Sequence, residues 1–154
     1  MNLVDELHRI AAALRSASID YAVCGGVAVT IHGATRTTKD IDLLVRREDV
    51  PRVLEAVRPL GYVFVALPMI FDAGTERERH VQRVSKLEGQ QHLMIDLLVA
   101  EAAFAGLLDE RLEIDLSEGT LRVVTLAALL AMKRLAGRPQ DEADIEKLEH
   151  RDGT

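Results

Sequence analysis

Apolar residues recur at helical spacing near the start of the chain: Leu3, Leu7, Ile10, Ala11 and Leu14, with polar residues between them. Positions three and four apart share one helix face, so residues 2–17 read as an amphipathic first helix. Residues 18–20 form a short turn and 21–24 a short buried strand. Gly25-Gly26 break that strand, residues 27–32 resume as a helix, and Gly33 stops it. Residues 40–45 alternate acid and aliphatic side chains, as a strand with two unlike faces does. Residues 48–59 predict a second amphipathic helix with Pro51 in its first turn. Residues 62–66 predict a strand, and 67–79, with Pro68, Gly74 and several charges, a loop. Residues 80–87 and 92–99 predict a hairpin turning at 88–91. A short helix is expected over 101–109, then a second hairpin from 112–116 and 121–124 around Glu118-Gly119. Thr125 is a good N-cap for a helix over 126–136; Gly137-Arg138-Pro139 break it, and 140–149 form a last, acid-rich helix.

Helices interspersed with hairpins predict a mixed α/β (α+β) domain with a helical C-terminal end. Residues 1–154 are expected to form a single domain, its core over about 20–125 and its C-terminal helices over about 126–149. Nearly half of the residues are apolar, aromatics are scarce and Trp is absent, so the core must be built from Leu, Val, Ile and Ala. Cys24 is the only cysteine, which excludes an internal disulfide. Its place in an apolar run makes it a buried small residue rather than a nucleophile. No signal peptide or membrane span is apparent, so a cytoplasmic protein with no membrane partner is expected. The net charge of −6 does not favour polyanions, so any nucleic-acid contact would need a local basic patch. Arg46, Arg47, Arg52 and Lys39 are candidates for one.

The candidate chemistry lies between residues 24 and 42. Gly25-Gly26 after a strand and before a helix lets backbone amides approach a ligand, and the helix start adds a positive dipole: a phosphate cradle, or a plain tight turn. Asp40 and Asp42, two apart on a strand, project to one side, where their like charges repel unless a cation binds or a proton is shared. Ile41 and Leu43 then point to the core. Asp96 is the only charge in the apolar run 93–99, and a buried lone carboxylate costs several kcal/mol unless paired, protonated or metal-bound. A strand neighbouring Asp40 and Asp42 would gather three oxygen ligands suited to magnesium, while Arg79 and Arg83 compete as ion-pair partners.

Gly25-Gly26, His32-Gly33, Arg36-x-Thr38-x-Asp40-Ile41-Asp42 and the later Asp96 resemble the nucleotidyltransferase (polymerase-beta-like) superfamily. The pattern looks most like the small bacterial AbiEii-like and lincosamide nucleotidyltransferases. The tail from Lys133 through Arg138, Asp141 and Asp144 resembles the AbiEii-like end of the group. The resemblance implies a nucleotidyltransferase fold, a mixed β-sheet flanked by helices, and two Mg2+ ions, with Mn2+ as an alternative. It implies that Asp40 and Asp42 hold both ions and Asp96 holds the one that activates the acceptor. It also implies an NTP donor and a toxin–antitoxin setting with a cognate partner protein. Many members have Gly-Ser where this chain has Gly25-Gly26, which leaves the phosphate contact to backbone amides. Arg36, Thr38 and Lys133 are the candidate triphosphate contacts; a structural ion pair for Arg36 and a helix-end role for Lys133 are the alternatives.

The expected activity is transfer of a nucleoside monophosphate to a hydroxyl of a small molecule, an RNA end such as tRNA, or a protein. The alternatives are a nucleotide- or partner-binding module without turnover, and a phosphohydrolase with water as acceptor. An intact acid trio disfavours the module, since a scaffold has no need to crowd carboxylates.

Overall fold

In the computed structural model, which describes residues 2–34 and 38–150, the chain opens with helix α1, Leu3–Ser16. Asn2 caps it by accepting from the amide of Val4 at 2.8 Å. Its apolar stripe of Leu7, Ile10, Ala11 and Leu14 is buried, as the spacing predicts. Glu6 is buried beside the stripe and pairs with Lys86 and with the Tyr62 hydroxyl. Strand β1 is Ala22–Cys24, helix α2 Gly25–Ile31 and strand β2 Asp40–Val45. Helix α3, Val50–Val57, is shorter than predicted, with 3-10 turns at Arg47–Asp49 and Arg58–Leu60 on either side. Pro51 sits in the first turn of α3 and Pro59 at the start of the second 3-10 turn, where a missing amide does no harm.

Strand β3 contracts to Phe64–Val65, and the stretch expected to be a loop contains a further strand, β4, Met69–Phe71. Both lie along β5, Arg79–Glu88, whose outer edge needs hydrogen-bond partners. β5 turns at Gly89 (φ 63°) into β6, Gln91–Val99. The expected helix at 101–109 is instead two 3-10 turns, Ala102–Phe104 and Leu108–Glu110, on either side of Gly106 at φ 82°. The last hairpin, β7 Leu112–Leu116 and β8 Gly119–Val123, is followed by α4, Leu126–Ala136, and α5, Pro139–His150. The Thr125 side chain accepts from the Ala128 amide at 3.0 Å, and Gly137 ends α4 in the left-handed region.

The sheet runs β3-β5-β6-β2-β1-β8-β7, with β4 also on β5. β2 pairs with β6, and β1 with β8, in parallel; the other pairs are antiparallel, so the sheet is mixed. β2 lies near the centre, with Ile41 and Leu43 in the core and Asp40 and Asp42 on the opposite face. Tyr21, Tyr62 and a set of Leu and Ile residues are the largest fully buried side chains. No described helix is long and apolar enough to cross a membrane.

Candidate active site

Register brings the acidic residues together. On parallel β2 and β6, Asp42 lies opposite Asp96. On the far side of β6, Asp96 lies opposite Arg83 of β5, while on the near side Asp42 lies opposite Cys24 of β1. Opposed residues project to the same side of a sheet. Cys24, Asp42, Asp96 and Arg83 therefore form a row across four strands, with Asp40 one step along β2. Asp40, Asp42 and Asp96 all line one pocket of about 310 Å3.

The three carboxylates are not equivalent. Asp96 is gripped by Arg83 in a two-pronged fork, Nε to Oδ1 at 2.7 Å and Nη2 to Oδ2 at 2.9 Å. Of the partners weighed from the sequence, the arginine is thus present, and the hydrogen bond to Asp96 raises the pKa of the Arg83 guanidinium. Asp42 has no side-chain donor among the described residues. It keeps a narrow opening to the pocket, but its surroundings remove most of its water. Burial first, then the charges of Asp96 and Asp40, push its carboxyl up to about 7. The Cys24 thiol is fully buried, and burial and the Asp42 charge raise its pKa, so it is inert at neutral pH.

Gly25 explains how Asp42 fits. Its φ is +63°, and a Cβ there would stand 1.8 Å from Asp42 Oδ2. The double glycine is thus a space requirement of the carboxylate as well as a turn. Gly25→Ala is expected to lower stability by about 2–4 kcal/mol, from left-handed strain plus the collision. Chemical denaturation reads the loss, and calorimetry should show weaker magnesium-dependent ATP binding. Unchanged binding would mean that Asp42 is not held against this turn.

Across the pocket stand α4 and the start of α5. Lys133 lies in the last turn of α4, as a helix-end lysine does, but it is only 6% exposed and paired with carboxylates. Its Nζ lies 3.2 Å from Asp141 Oδ1 and 2.9 Å from Asp144 Oδ2. Arg138 Nε donates to Asp141 Oδ2 at 2.7 Å. Burial works against ionised Asp141, but Arg138 and Lys133 outweigh it and hold its carboxyl below the usual value. Lys133 and Arg138 line the pocket together with Gly25, Gly26 and Thr38. The Thr38 hydroxyl is within 3.3 Å of the Asp40 backbone amide and carbonyl, steadying the entry to β2. Arg36 lies outside the described residues. His32 is the C-cap residue of α2, its Nε2 2.8 Å from the Val124 carbonyl oxygen. His80 pairs with Glu78, away from the carboxylates.

Arg138, Arg79, Met69 and Phe71 also line the pocket, and reading the sequence did not assign them to a site. Arg138 carried a signal through the tail motif and Arg79 as a candidate partner of Asp96, a place that Arg83 takes; Met69 and Phe71 carried none. Arg79 caps the end of α4 through the Leu135 carbonyl at 3.2 Å.

Among the described residues, no three His, Cys, Asp or Glu side chains stand close enough to form a metal cluster by themselves. Magnesium does not require one: it commonly takes one or two carboxylates and completes its shell with substrate phosphates and water. Asp40 and Asp42 suit that role, being oxygen donors with a shortfall of positive charge around the inner one.

The fold and the chemistry of its pocket place the chain in the nucleotidyltransferase class. Residues 1–132 match the profile of a family described as uncharacterised nucleotidyltransferase, and the chain belongs to that family. Solved structures share the fold at low sequence identity. A provisionally assigned nucleotidyltransferase from Thermotoga maritima is 13% identical, with a TM-score of 0.64 over 96% of this chain and 92% of that one. The lincosamide antibiotic adenylyltransferase LnuA, solved with lincomycin bound, is 17% identical, with a TM-score of 0.58 over 94% and 95%. ANT(2″)-Ia, in complex with adenylyl-2″-tobramycin, is 18% identical, with a TM-score of 0.61 over 98% and 89%. A search of curated protein sequences gave no significant match.

Proposed function

We propose that this enzyme transfers a nucleoside monophosphate from an NTP to the hydroxyl of a small acceptor, with Mg2+ held by Asp40 and Asp42 and approached by Asp96. The observation that carries this reading is the alignment of Asp42 with Asp96 on parallel strands, beside a glycine turn that leaves no room for a side chain. Like charges in such a row are tolerable once a cation shares them. Magnesium, when bound, neutralises the triphosphate and the leaving pyrophosphate and lowers the pKa of the acceptor hydroxyl.

The residues of the chain supply the remaining steps. Backbone amides of Gly25 and Gly26 approach the phosphates from the β1 side. Lys133 and Arg138 face the same pocket and offset phosphate charge, with Thr38 beside them. Arg36, three residues after Gly33, is proposed as a further triphosphate contact. Asp96, between the Asp-x-Asp pair and Arg83, is proposed to orient the acceptor hydroxyl and accept its proton through a lone pair that the Arg83 fork leaves open. The adenylyltransferase folds of LnuA and ANT(2″)-Ia support a small acceptor, as does the pocket of about 310 Å3. Lys133 and Asp141 of the AbiEii-like tail line the pocket, with Asp144 buried beside Lys133.

Calorimetry of a non-hydrolysable ATP analogue with and without Mg2+, followed by a pyrophosphate-release assay over an acceptor panel, tests the proposal. Magnesium-dependent binding with acceptor-dependent pyrophosphate is expected. Binding without any release across the panel would favour a nucleotide-binding module, and free NMP without an adduct would favour a phosphohydrolase.

A further inference from the structure

We propose that the acceptor is a small hydroxyl compound with an apolar body and no positive charge, seated on a strip formed by β4, β5 and β6. The inference rests on the nucleotidyltransferase reading above and names its second substrate class.

Strand order sets the direction. From β2 the pocket face runs outward through Asp96 and Leu98 of β6, then Arg83 and Val81 of β5, to Met69 and Phe71 of β4. Residues two apart on each strand share that face, and Val81 lies opposite both Leu98 and Met69. The glycine turn lies on the opposite side of Asp42, next to β1. Phosphates held there leave the side beyond Asp96 for the acceptor. That side presents the apolar Leu98, Val81 and Met69 between Arg83 and Arg79, and is topped by Phe71, which is 43% exposed and has the Arg79 guanidinium 5.6 Å from its ring centre.

Among the described residues, four carboxylates line the pocket, and each has a charge partner here or in the proposed donor site. Asp40 and Asp42 are the pair proposed to hold Mg2+, Arg83 donates to both oxygens of Asp96, and Lys133 and Arg138 hold Asp141. At the rim between β4 and β5, Asp72 pairs with Arg79 at 3.1 Å and Glu78 with His80 at 3.0 Å. A polycation would meet the guanidinium groups of Arg79 and Arg83, and a charge desolvated there without a partner is costly. A neutral or anionic molecule with an aromatic or aliphatic part meets a complementary wall.

The test is calorimetry on the full chain loaded with Mg2+ and a non-hydrolysable ATP analogue. The probes are p-nitrophenyl β-D-glucoside, p-nitrophenyl β-D-glucuronide and tobramycin. At least one nitrophenyl glycoside is expected to bind roughly tenfold or more tightly than tobramycin, and Phe71→Ala to weaken that binding by roughly tenfold. Met69→Glu, which adds the missing carboxylate, should gain tobramycin affinity. Tobramycin binding as tight as the glycosides, no glycoside binding, or indifference to Phe71→Ala would overturn the assignment while leaving the donor site standing. Failure of the ATP analogue to bind with Mg2+ would overturn both.

Discussion

Asp42→Asn is expected to reduce nucleotidyl transfer by a factor of roughly a thousand or more, equivalent to about 4 kcal/mol of transition-state stabilisation. The change removes the innermost metal-facing carboxylate and keeps its shape, so the Gly25 turn stays filled. The same substitution should stabilise the metal-free protein. The Asp42 carboxyl is raised from its ordinary value of 3.8 to about 7 in the fold. Between those values the folded protein keeps a proton that the unfolded chain releases. Stability therefore falls as pH rises through that window, by about 2 kcal/mol once pocket water is allowed for. Asparagine carries no such proton, so the variant should lose this part of the pH dependence and exceed the wild type at about pH 8. Thermal unfolding in chelator from about pH 5 to 8, paired with a single-turnover assay in Mg2+, reads both effects. Transfer within tenfold of wild type would remove Asp42 from the chemistry, and parallel pH profiles would mean that its carboxyl is not under the stress described.

The second large effect falls on stability. Lys133 is the cation shared by Asp141 and Asp144, which are 1% and 0% exposed. Removing one partner from a buried ion cluster typically costs about 3–5 kcal/mol, because the charges left behind have lost both water and counter-ion. Lys133→Met, which keeps most of the volume, is expected to lower stability by that amount and the melting temperature by roughly 10 °C. The contrast is Arg134→Met on the same helix. Its guanidinium pairs with Glu149 at 2.9 Å in solvent, and its loss should cost under about 1 kcal/mol. Urea denaturation of both variants separates the cases. A Lys133→Met loss no larger than that of Arg134→Met would show that Lys133 does not hold α5 against α4. ATP-analogue affinity, measured on the folded fraction, then reports whether Lys133 also meets phosphate.

Much of the site could be read along the chain because its signals are local. Asp40–Val45 is a strand with the predicted bounds, its acids on the pocket side and Ile41 and Leu43 in the core. Thr125 and Gly137 mark the ends of α4 as cap chemistry requires. Asp96 stood out as a charge in an apolar run. The misses were non-local. Met69–Phe71 is too short and too close to Pro68 and Gly74 to declare itself as a strand, and it is one because the edge of β5 offers a partner. The helix expected at 101–109 is divided by Gly106, whose left-handed φ does not belong in a helix interior.

By itself, the sequence determined the local architecture: which side chains alternate on β2, where α1 and α4 begin and end, and which acids were costly to bury. Periodicity, capping and backbone sterics act over a few residues, so they survive without knowledge of the rest of the chain. Only the tertiary structure decided that Asp42 faces Asp96 across two parallel strands, that Arg83 holds Asp96, and that Lys133 is enclosed between two helices. Those outcomes depend on strand register and on the balance of desolvation against pairing. Both are set by contacts between residues 8 to 54 positions apart, whose burial no single stretch of chain can fix.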